Sequence, residues 1–157
     1  MPSRGIIRNH RHSGRNRGSA TIKLTNMADA EFGHLQQGAR ILEEDARGPM
    51  VMILADGRIM KLFRLRKTFT SARLFPHSLR FAKNASRLQK LGIPTVSDVV
   101  CFKLASSPLT GVLYQPLPGK TLRQMGVAGL ATPADYRQAG RFIANLHHAG
   151  ILFRSIH

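Results

Sequence analysis

The sequence predicts an α+β fold, a five-stranded antiparallel sheet carrying one helix, followed by the first helices of a second, helical region. Three observations predict it. Apolar and polar residues alternate with period two on both sides of Ala55-Asp56-Gly57, a tight hairpin signal. Between Ser78 and Leu91 the period changes to three and four residues, and Gly92 and Pro94 close the run. A further helix start, Thr132-Pro133-Ala134-Asp135, comes after Pro116-Leu117-Pro118-Gly119, a stretch that cannot continue a sheet.

Residues 1–26 hold Arg4, Arg8, Arg11, Arg15, Arg17 and Lys23, several glycines and a single apolar pair, Ile6-Ile7. Such a segment cannot bury enough surface to offset its chain entropy, so a disordered basic tail is expected there. It reads as a nucleic-acid arm, or as a solvated tail or sequence upstream of a start at Met27. The lack of an interleaved aromatic residue for base stacking favours the latter.

From Gly38 the strands begin. Ala39 to Asp45, Met50 to Leu54 and Arg58 to Leu65 read as three antiparallel strands. In the third, Ile59, Lys61 and Phe63 fall on one face and Met60, Leu62 and Arg64 on the other. Ser78 is the expected cap of the helix whose inner face is Phe81, Ala82, Ala85, Leu88 and Leu91. Val96 to Leu104 and Gly111 to Gln115 give two more strands around Ser106-Ser107-Pro108. The last helix turns Tyr136, Ala139, Phe142, Ile143 and Leu146 inward, ends at Gly150 and delivers a polar turn with Arg154, Ser155 and His157. The domain reading is a tail (1–26), a sheet-and-helix unit (27–118), and a linker leading into helices (119–157).

Composition bounds the function. The formal charge of +16, from 24 basic and 8 acidic residues in 157, raises nucleic acid or other polyanions as partners. No helix-turn-helix or RNA-binding signature accompanies it, so nucleic acid ranks last. Cys101 is the only cysteine, which excludes an intramolecular disulfide and makes a reducing cytoplasm the expected location. There is no apolar run near 18 residues and no secretion-type h-region, so no membrane span is expected.

The order of elements, together with Lys61, Arg87-Leu88-Gln89-Lys90-Leu91-Gly92-Ile93-Pro94-Thr95, Leu113-Tyr114-Gln115-Pro116-Leu117-Pro118-Gly119-Lys120-Thr121-Leu122 and His147-His148-Ala149-Gly150-Ile151, resembles the protein-kinase-like superfamily. Within it, the chain is similar to the bacterial lipopolysaccharide-kinase-like group that includes toluene-tolerance proteins. The likeness covers roughly residues 38 to 157. It implies a kinase small lobe running through a hinge into an incomplete large lobe, with ATP and Mg²⁺ as the family's cofactors. Lys61 is then the lysine that neutralises the nucleotide's phosphates, where an edge-strand lysine is otherwise simply solvated. Tyr114 takes the gatekeeper position, and the Gln115 carbonyl and Leu117 amide meet the adenine edge, with Val51, Leu117 or Leu54 as apolar walls. Without the resemblance, 116–119 is an ordinary proline-rich linker.

The departures are as informative. No glycine-rich G-x-G-x-x-G precedes Lys61; Glu43, Glu44 and Asp45 stand there instead and would repel a triphosphate. No acid occurs between Asp56 and Asp98, and Phe81 falls near the position of the usual helix carboxylate. Phe153-Arg154-Ser155 replaces His-Arg-Asp, and a serine cannot act unaided as a general base at neutral pH. His157 falls where kinases place a loop lysine, as a phosphate contact or substitute base; otherwise Arg154 and His157 are polar loop residues. The family's magnesium ligands lie beyond the sequence, which reads as truncated within the catalytic loop. The functional expectation is a truncated or catalytically degenerate kinase-like phosphotransferase. The alternatives are a non-catalytic module binding a nucleotide or a partner, and last a basic nucleic-acid-binding protein. The apolar face of helix 132–150 is expected to drive self-association or capture a protein partner.

Overall fold

The computed structural model describes residues 22–64 and 76–152. In chain order the elements are β1 (Leu24–Met27), α1 (Asp29–Gln36), β2 (Arg40–Asp45), β3 (Gly48–Ile53), β4 (Ile59–Arg64), α2 (His77–Lys90), β5 (Ser97–Leu104), β6 (Leu109–Gln115), α3 (Leu122–Val127) and α4 (Pro133–His148). The α+β class holds, but the sheet is mixed and six-stranded, in the order β1-β5-β6-β4-β3-β2. The added strand, β1, pairs parallel with β5, and the other neighbouring pairs are antiparallel.

Leu24 to Asn26, read in the sequence as tail, are therefore part of the sheet. Four residues without alternation carry no strand signal of their own. What fixes them is the open edge of β5: the Thr25 hydroxyl donates to the Cys101 carbonyl at 3.0 Å, and Met27 is buried. The eight-residue α1 also escaped the sequence reading, having too few apolar residues to show a period. It is ordered from outside, through Phe32 and Leu35 packed on the sheet, with the Phe32 and Phe102 rings 6.4 Å apart.

The sheet is covered on both faces. Alternation puts Met60 and Leu62 in the cluster under α1, with Met27, Met52, Leu54, Phe102, Leu104 and Leu113. The opposite face carries Cys101 and Val112 against Ala82 of α2, flanked by Phe63, Phe81 and Tyr114. The face assignment of β4 holds as the alternation predicts. Helix α2 begins at His77 after Pro76, so Ser78 is not its cap. Its hydroxyl is fully buried with no hydrogen-bond partner, while its carbonyl accepts from the Cys101 thiol at 3.3 Å. Burial pushes that thiol up to about 11.

Helices α3 and α4 share one device. Thr121 and Thr132 each accept from the backbone amide three residues on, and Gln124 and Asp135 return the bond to the cap's own amide. Gly150, at φ +73°, lets the chain leave α4 through a left-handed residue. On α4 only Leu146 is fully buried, while Tyr136 and Phe142 are 54% and 46% exposed.

Candidate functional site

Lys61 sits in the middle of β4, an inner strand, and is partly buried. Its register partners are Val51 on β3 and Val112 on β6, and Val112 is in turn opposite Cys101 on β5. Residues directly opposite one another share a face, so the row Val51, Lys61, Val112 and Cys101 lies on the side that α2 covers. Lys61 is thus not on an edge strand, and its ammonium leaves the sheet on the helix side. Among the described residues the ion pairs are Arg58 with Asp56 and Arg64 with Asp45, and neither involves Lys61.

Tyr114 is two residues beyond Val112 on β6 and points to the same face. Its ring lies 5.1 Å from that of Phe81 on α2. Burial, and then the charge of Glu43, raise its hydroxyl above the ordinary tyrosine range. Gln115 ends the strand opposite Ser97, and Leu117 follows in the exposed linker before Thr121. The structure therefore brings Lys61 and Tyr114 to one face, with Gln115 and Leu117 where the sheet hands over to the helices. Of the suggested apolar walls, Val51 lies in the Lys61 row. Leu54 does not, because it packs in the cluster on the α1 side.

Arg154, Ser155 and His157 lie outside the described residues. What precedes them ends beside α2: Gly150, Ile151 and Leu152 line a groove of about 340 Å³ with Asn84, Arg87 and Leu88. Another groove, of about 280 Å³, runs between α1 and the β3–β4 hairpin and contains His34 and Asp56. Lys61 lines neither.

The sequence names Glu43 as one of three acids that would repel a triphosphate, without placing it on a face. In β2, Ile41 pairs with Met52, on the α1 side of the sheet. Strict alternation would send Glu43 there too. A register irregularity between Ile41 and Glu43 leaves Leu42 as the extra residue, and Glu43 pairs with Val51 in the row of Lys61. The turn that follows is clipped from β4: Arg64 pairs with Asp45, donates to the Arg47 carbonyl at 2.9 Å and meets the Met50 sulfur at 3.1 Å. The Arg47 amide, donating to Asp45 Oδ1 at 2.8 Å, and then the Arg64 guanidinium hold the Asp45 carboxyl below its ordinary range.

No family model, curated protein or solved structure matches the chain.

Proposed function

We propose that the chain is a kinase-like module whose sheet and α2 form the nucleotide-binding lobe, holding an adenine nucleotide between Lys61 and the Gln115 to Leu117 linker. The observation that carries this reading is the common face. Lys61 leaves an inner strand on the side covered by α2, and the same face of the neighbouring strand carries Tyr114, directly before the linker. A lysine so placed is pre-organised to meet phosphate, and a strand that ends in an exposed linker offers backbone groups to a base edge.

Within this reading, binding is favoured over phosphoryl transfer by Phe81. The aromatic ring stands against Tyr114 on the helix face where the family sets a carboxylate to hold its lysine. ATP and Mg²⁺ belong to the family pattern, and the proposed module takes the nucleotide without turning it over. Binding of a fluorescent adenine nucleotide to the full chain tests the site. Lys61→Ala is expected to weaken it by about 1 to 3 kcal/mol, the scale of a charge-assisted contact. Equal affinity in both proteins would remove Lys61 from the site, and magnesium-dependent ATP turnover by the wild-type protein would overturn the non-catalytic part.

A further inference from the structure

Glu43 is turned onto the Lys61 face by a departure from regular pairing, at a position where regular alternation would have hidden it on the other side. Extra residues of this kind re-aim side chains, and they concentrate at sheet edges and beside functional sites. Two strand spacings separate Glu43 from Lys61, with Val51 between them, which sets their backbones about 10 Å apart. Lys61 thus has a carboxylate on its own face. Close to Lys61 that face offers Val51, Ile59, Val112, Phe81 and Tyr114; Lys103 shares the face but stands opposite Thr110 on the β5 side, away from Glu43.

We infer that Glu43 sets the charge of the ligand accepted at the Lys61 site, which takes a nucleoside monophosphate in preference to a triphosphate. The inference rests on the nucleotide reading above and refines it. Lys61 can neutralise one phosphate. A longer phosphate chain that runs toward β2 adds negative charge on the same face and brings it toward Glu43, away from Lys103. A phosphate beyond the one on Lys61 meets Glu43 at no more than about 10 Å, where in partly screened surroundings one such pair of like charges changes affinity by roughly tenfold, whereas the phosphate on Lys61 has its counter-charge beside it. Burial raises the Tyr114 hydroxyl and Glu43 adds to that rise, which agrees with the carboxylate being felt on this face.

The test is competition of adenosine monophosphate and adenosine triphosphate against a fluorescent adenosine derivative, on the full chain, in wild type, Glu43→Gln and Glu44→Gln. Glu43 lies on the exposed edge strand, so its amide variant is expected to keep the wild-type melting temperature. The expected result is that wild type binds the monophosphate more tightly, and that Glu43→Gln strengthens triphosphate binding by roughly tenfold while moving the monophosphate by less than about threefold. Glu44→Gln, the same charge change one residue along, is expected to leave the preference in place. Unchanged triphosphate affinity in Glu43→Gln, or an equal gain in Glu44→Gln, would overturn the role of Glu43 and leave the nucleotide site standing. Failure of all three proteins to bind the fluorescent probe would instead sink the site itself, and this inference with it.

Discussion

Gly111 is in β6 because it has no side chain, and its backbone is ordinary extended strand. A Cβ built there would lie 2.7 Å from Cε1 of Phe102 and nearer still to Cζ, and Phe102 is the largest fully buried side chain of the core. Gly111→Ala is therefore expected to lower stability by about 1 to 3 kcal/mol, the usual cost of overpacking, seen as a fall in the denaturant midpoint at unchanged slope. An unchanged midpoint would mean that the ring yields freely. Such single-residue facts were the least legible in the sequence. Lys61 was found because alternation around a clear hairpin gave its face. Glu43 was legible as a charge that would repel a triphosphate but its face was not, because one extra residue in β2 reverses that face and nothing in Leu42-Glu43-Glu44 announces it. Ser78 was misread as a cap because its type suits one, although Pro76 and His77 already begin the helix.

At the scale of elements, the strands and helices that declared themselves were those with their own period or their own caps. The α4 start is the clearest case: the Thr132 hydroxyl and amide both reach the Asp135 carboxylate, at 2.6 and 2.8 Å, and hold that carboxyl below its ordinary range. Thr132→Ala is expected to cost about 1 kcal/mol and to speed hydrogen exchange of the first-turn amides, while Thr132→Ser retains protection. Equal exchange in Thr132→Ala would show that proline at the first helical position suffices. The same signature, Thr121 with Gln124, was present in the sequence at α3 and went unread because only six residues follow it. By contrast β1 and α1 have no local signal. Their order comes from the β5 edge and the Met60, Leu62 and Phe102 surface, which sequence windows do not see.

Across the whole molecule, apolar side chains crowd the sheet faces and then remain uncovered in the helical part. Val127 is 86% exposed, Leu130 54% and Phe142 46%, with Tyr136 close behind Gly126 of α3. Concentration-dependent association is expected by sedimentation velocity, and Phe142→Lys with Val127→Lys is expected to reduce it without lowering the thermal midpoint. A monodisperse wild-type protein that binds no apolar dye would show that these side chains are adequately shielded. The α+β class was legible because it rests on the order of periodic segments. The strand count was not, since a parallel edge strand is specified by a partner far along the chain.

That distance has a consequence for the order in which the molecule comes together. Thr25 reaches Cys101 across 76 positions, so β1, synthesised near the beginning, has nothing to pair with until β5 has emerged. Phe32 and Leu35 wait as well, because Phe102 and Leu104 of their cluster arrive on that same strand. On the ribosome the hairpins of β2, β3 and β4 join neighbours close in sequence and can form early, whereas β1 and α1 close last, after the longest loop. The first part of the sheet to be made is the last to be seated.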